Sequence, residues 1–173
     1  MTRENRVFFF ACLAVAVFGS APSGLAAPFS HGEGFGRVLP IVAEMGVGPV
    51  MDAALDGRTL YMIGRGKLHV ADLADPAHPK LVATLDGLGN TRQIAVDRGR
   101  AYITAREDGL FIVDVARPEQ PKLLTHYDTI ELATGVAVTG NVLLVACRTY
   151  GVELVDVTDP RRPAHLSTVR TGE

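Results

Sequence analysis

Short apolar stretches, separated by turns rich in glycine, proline and aspartate, fill the chain from Val50 onward and recur at one fixed interval. Three rows, Val50 to Thr91, Arg92 to Ala133 and Thr134 to the end, each hold four such stretches. The first (MDAAL from Met51, QIAVD from Gln93, GVAVT from Gly135) predicts a short strand. A turn closes it at Asp56-Gly57, Arg98-Gly99 or Gly140-Asn141, where glycine and asparagine accept the positive φ of a tight hairpin. The second (TLYMI from Thr59, RAYIT from Arg100, VLLVA from Val142) is almost wholly apolar, the pattern of a strand covered on both faces in the middle of a sheet. The third (KLHVADL from Lys67, GLFIVDV from Gly109, GVELVDV from Gly151) is rich in β-branched and apolar residues that suit a packed pleated surface. The fourth (KLVATL from Lys80, KLLTHY from Lys122, AHLSTV from Ala164) is more polar and reads as an outer edge strand.

The polar punctuation follows the same step. Asp72, Asp114 and Asp156 are 42 residues apart, as are Pro76, Pro118 and Pro160, and Pro79, Pro121 and Pro163. Two prolines three residues apart exclude both a helix and a central strand, so each pair marks a turn. The aspartate that precedes it is the residue type whose side chain caps turn amides, and the same reading covers Asp75 and Asp159. Four antiparallel strands in about 40 residues, repeated in tandem, is the pattern of a β-propeller blade. The fold class expected is all-β, a β-propeller-like array of three four-stranded antiparallel blades and part of a larger propeller. WD40 repeats have this length, but the chain has no tryptophan and carries Val-Asp where Trp-Asp would stand.

The strings FIVDV from Phe111 and ELVDVTDP from Glu153, with Pro163 beyond, resemble the LVIVD repeat. The resemblance covers Val50 to Arg170 and is weakest at His69-Val70-Ala71-Asp72 in the first row. It implies a secreted or surface protein of bacterial or archaeal type with a propeller fold, and brings no catalytic residue with it.

Ahead of the repeats, residues 1–27 read as an export signal. Arg3 and Arg6 precede a 12-residue apolar run, Val7 to Phe18, and a small-residue end at Gly24-Leu25-Ala26-Ala27. A membrane-spanning helix needs about 20 residues, so no membrane span is expected after cleavage. Residues 28–37 read as a flexible linker. Residues 38–44 read as an extra outer strand, since Val38-Leu39-Pro40-Ile41-Val42-Ala43 falls one period before Lys80 to Leu85. The third row already has its own outer strand. The surplus strand therefore implies a longer propeller, closure by self-association through open blade edges, or an unclosed three-blade domain with a cap of unspecified kind.

Without the signal the net charge of −2 becomes −3, and no basic run tracks a phosphate backbone, so nucleic acid is not an expected partner. Cys147 is then the only cysteine, which excludes an intrachain disulfide. It aligns with Ala105 and Ile63 on the buried second strand and reads as a small core residue. The five histidines, His31, His69, His78, His126 and His165, fall in different columns without metal-ligand spacing and read as surface or edge residues. No catalytic, metal or cofactor residue is assigned, and no cofactor is expected. The candidate ligand residues are Arg106 and Arg148, which are in register, and Arg65, one place off the same column. They lie in loops between second and third strands, on the face shared with the connections Asn90 to Arg92 and Thr134. There they would bind a small carboxylate, phosphate or sulfated ligand. The alternative is that they are solvated or paired with Glu107 and Asp108. The function expected is an exported, non-enzymatic module for protein or ligand binding or scaffolding. The alternatives are a propeller-type hydrolase or lactonase with its site at the channel mouth, and a surface lectin or adhesin.

Overall fold

The structure, a computed structural model, describes residues 41–172. The expected signal and linker lie outside the described residues. Residues 41–50, which include the described part of the expected strand 38–44, form no strand.

Twelve strands follow: β1 (Asp52–Asp56), β2 (Thr59–Gly64), β3 (Lys67–Asp72), β4 (Lys80–Leu85), β5 (Gln93–Asp97), β6 (Arg100–Thr104), β7 (Leu110–Asp114), β8 (Lys122–Tyr127), β9 (Ala133–Thr139), β10 (Val142–Cys147), β11 (Gly151–Asp156) and β12 (Ala164–Val169). They form three antiparallel sheets, β1–β4, β5–β8 and β9–β12, each in simple meander order. β4, β8 and β12 are edge strands, and the first strands of the three sheets are neighbours, β1 beside β5 and β5 beside β9. Among the described residues no helix is long and apolar enough to cross a membrane.

Turn chemistry follows the glycines with one shift. Asp97 pairs with Arg100 and Thr139 with Val142, as expected, but Asp56 is itself paired with Thr59, so the first turn is Gly57-Arg58. Gly57, Gly99 and Gly140 all have positive φ, and Arg98 takes the left-handed conformation at φ 47°. A non-glycine residue there is strained, so the hairpin geometry prevails over local preference.

Each sheet carries a bulge at one repeated place. Val82 between β3 and β4, Leu124 between β7 and β8, and Leu166 between β11 and β12 have no cross-strand partner, because the register shifts beside each. These three residues are 42 apart.

Two apolar layers hold the sheets together. Tyr61, Ile63, Leu68 and Val70 of the first sheet pack with Ile94, Ile103, Phe111 and Val113 of the second. On the opposite face of the second sheet, Tyr102, Leu110 and Ile112 pack with Leu143, Val145 and Val155 of the third. The middle sheet is thus covered on both faces, and β7 shows four consecutive buried residues. In the third sheet β10 alternates buried positions with half-buried and exposed ones, so the expectation that the second strand is covered on both faces fails there. Its far face has no neighbouring sheet among the described residues.

Candidate functional site

The repeated aspartates hold turns. Asp72, Asp114 and Asp156 accept hydrogen bonds from the amides two residues on, Ala74 at 2.9 Å, Ala116 at 3.0 Å and Thr158 at 2.8 Å. Asp75 and Asp159 do the same for Ala77 and Arg161, each at 3.0 Å. His78 beside Asp75, and the Thr158 hydroxyl beside Asp156, hold those two carboxyls below the ordinary aspartate range.

The three candidate arginines sit at one end of their sheets, together with the connections between sheets. The Leu88 amide donates to Gly66 O at 2.9 Å, and the Asn90 amide to Asp108 Oδ2 at 2.9 Å. Arg106 and Ala133 exchange backbone hydrogen bonds at 2.9 and 3.0 Å, and the Arg148 amide donates to Leu132 O at 3.2 Å. Glu131 accepts from the Thr149 amide at 2.8 Å and from its hydroxyl at 3.0 Å. What the fold uses of Arg106 and Arg148 is therefore their backbone, which ties each loop to the incoming connection. Arg65 and Arg106 have left-handed backbones, φ 50° and 47°, and Arg148 does not. Among the described residues none of the three guanidinium groups forms an ion pair, and Asp108 is spent on Asn90 rather than on an arginine. The loops are brought to one end, but no shared contact brings the guanidinium groups together. Beside them Thr91 is buried, and its hydroxyl has no partner among the described residues.

The most developed polar cluster was not visible in the sequence. Glu153 on β11 is fully buried. Its Oε1 accepts from the Tyr127 hydroxyl at 2.6 Å and from His165 Nδ1 at 3.0 Å, and its Oε2 accepts from the Ile130 amide at 3.0 Å. Burial acts to raise the Glu153 pKa, but the hydrogen bonds from Tyr127, Ile130 and His165 outweigh it and bring the carboxyl below its usual range. Burial, with Glu153 alongside, pushes the Tyr127 hydroxyl well up, so it remains a donor. Cys147 lies with Sγ 3.9 Å from Glu153 Oε2, and burial, reinforced by that carboxylate, pushes its thiol up to about 11. A buried, protonated thiol is a poor nucleophile, and a carboxylate with its oxygens taken is a poor base. The cluster clamps the connection after β8 onto the third sheet.

One histidine departs from the expected surface or edge placement. His69 is buried, with Nδ1 3.0 Å from Thr84 Oγ1, and burial followed by the nearby Lys67 lowers its pKa. His165 is on an edge strand but completes the Glu153 cluster. His126 stacks on Phe111 at 4.8 Å and approaches Asp108 O. His31 lies outside the described residues. Among the described residues no group of three or more histidine, cysteine or carboxylate side chains has metal-binding geometry.

Among solved structures the chain is similar to the computationally designed Ika4 protein, at 13% identity and TM-score 0.59, over 75% of this chain and 77% of that one. It is also similar to the computationally designed Ika8 protein, at 14% identity and TM-score 0.54, over 70% of this chain and 38% of that one. A europium-containing methanol dehydrogenase is similar at 14% identity and TM-score 0.52, over 70% of this chain but 26% of the enzyme. Likeness at these identities concerns the fold alone. No curated protein matches the sequence. The LVIVD repeat model matches residues 88–129 and 132–171, the second and third sheets with their connections. The meander sheets, the turn aspartates 42 residues apart and this match agree: the region carries an LVIVD repeat domain.

Proposed function

We propose that this protein is an exported, non-catalytic binding and scaffolding module that works as part of a larger propeller, the outer face of its third sheet receiving a further blade. A second copy of the chain supplies that blade in the simplest arrangement, giving six blades from two chains. The carrying observation is a pair of repeat columns. Tyr61 and Tyr102, each 2% exposed, cover the next sheet in the two internal layers, whereas Leu144 at the equivalent place is 36% exposed. Val82 and Leu124 at the bulges pack against those layers, and Leu166, their equivalent, is 51% exposed. An apolar face built on the pattern of two buried interfaces is the surface that a third interface of the same kind would use.

Two further parts belong to this reading. Arg3, Arg6 and the apolar run after them support export to the periplasm or cell surface. Arg65, Arg106 and Arg148, at the end where connections and loops meet, support capture of a small anionic ligand there. The test is light scattering over a range of concentrations, on the wild-type chain and on a Leu144→Lys, Leu166→Lys variant. A wild-type dimer and a folded monomeric variant support the reading. A wild-type protein that remains a well-folded monomer overturns closure by self-association.

A further inference from the structure

At the end opposite Arg65, Arg106 and Arg148, a groove opens between each pair of neighbouring sheets. Between the first and second it has a volume of about 150 Å³, and Asp72, Val82, Pro118 and Glu119 are among its lining. Between the second and third it has about 210 Å³, and its lining includes Asp114, Leu124, Pro160 and Arg161. Each of these four residues stands 42 positions after its counterpart. The groove is therefore a product of the repeat. The proline turn of one sheet stands over the hairpin turn of the sheet before it, and the bulge residue forms part of the wall.

The two grooves share a place in the repeat and differ in charge. In the first, Arg58 Nε is 3.3 Å from Asp72 Oδ1, so that cation is already paired, and Glu119 adds a further negative charge. In the second, glutamate is replaced by Arg161, and Arg98 and Arg100 line the near side. Arg98 is fixed in place: its Nε donates to Asp97 Oδ2 at 2.7 Å and its Nη2 donates to Gly140 O on the third sheet. Arg100 and Arg161 have no ion pair among the described residues. Asp114, the only carboxylate in the lining, has Oδ1 occupied by the Ala116 amide.

We propose that the groove between the second and third sheets is a binding site for a tetrahedral oxyanion, the phosphoryl or sulfuryl group of a small ligand. Its lining includes three arginines: Arg98, paired with Asp97, from a hairpin turn, Arg100 from the strand after that turn, and Arg161 from the proline turn of the next sheet. A tetrahedral anion offers oxygens in several directions and accepts all three, whereas a planar carboxylate is satisfied by one bidentate fork. Arg98 supplies pre-organisation, and the unpaired Arg100 and Arg161 supply the attraction. The site joins two sheets, so an occupied groove also braces the junction.

The test is a nuclear magnetic resonance titration of arginine Nε–H signals in the full chain, with inorganic phosphate and, separately, inorganic sulfate, against sodium chloride at matched ionic strength. Saturable shifts at Arg100 and Arg161 with phosphate or with both anions, and not with chloride, support the site. A response to phosphate alone assigns it to phosphoryl groups. Arg161→Glu reproduces the charge that Glu119 gives the first groove, a charge this fold already accommodates, and is expected to weaken binding about tenfold or more. Arg161→Gln, expected to act in the same direction, separates loss of the cation from added repulsion. Shifts that chloride reproduces, or that are confined to Arg65, Arg106 and Arg148, overturn the proposal. So does wild-type affinity in both Arg161 variants.

Discussion

The Tyr127 hydroxyl donates to Glu153 Oε1 at 2.6 Å across the junction of the second and third sheets, so a phenol at the end of β8 is held by a fully buried carboxylate on β11. Glu153→Leu would leave that hydroxyl and the Ile130 amide without their acceptor. Urea unfolding should show a loss of about 2–4 kcal/mol, and Tyr127→Phe a smaller loss of about 1–2 kcal/mol. A Glu153→Leu protein as stable as wild type would remove the clamp from this account.

The same carboxylate gives stability a pH dependence of defined sign. Its folded pKa lies below the ordinary value of 4.5. Its contribution is therefore complete above that value and is lost as pH falls through the folded pKa, because the unfolded chain takes up the proton first. Urea midpoints measured from about pH 6 down to about pH 3 should fall less steeply for Glu153→Gln than for wild type. Parallel curves would show that this group does not set the slope.

Cys147 should be silent to alkylation in the native protein. With the thiol raised from 9.0 to about 11 and the side chain buried, iodoacetamide should label it at least about 100-fold more slowly than in urea. Mass spectrometry of timed aliquots measures the ratio. Labelling at the free-thiol rate would mean that the cluster opens.

Backbone strain separates two substitutions in equivalent loops. Arg65 has φ 50° in an exposed turn, so Arg65→Gly should gain about 0.5–1 kcal/mol in thermal unfolding. Gly151 has φ 117°, and a Cβ there would overlap the Val169 carbonyl, so Gly151→Ala should destabilise by about 2 kcal/mol or more.

What the sequence made legible was the repeated order of strands and turns. Gln93–Asp97, Arg100–Thr104 and all three outer strands have the predicted bounds, and the aspartates cap turns, because each of these features depends on its own few residues. The Glu153 cluster does not repeat. Its column holds His69, Phe111 and Glu153, three unrelated side chains, and the partners of Glu153 come from β8, the following connection and β12. The groove arginines were hidden for a related reason. The change from Glu119 to Arg161 looks like surface drift until the fold sets the proline turn of one sheet over the hairpin of another. For Arg65, Arg106 and Arg148 the pattern gave the right end of the sheets, but a column cannot say where a long flexible side chain points.

The bulge beside Val70, Ile112 and Leu154 re-phases the outer strand of every sheet, and the third sheet has one further shift, between Ala146 and Cys147 at the end of β10. A one-residue insertion or deletion in the first three strands turns an entire apolar face outward. In the outer strand the same change has only to be absorbed at a position where the ladder is already interrupted. Length variation within the strands of this unit should therefore collect at the bulge, beside Val82, Leu124 and Leu166.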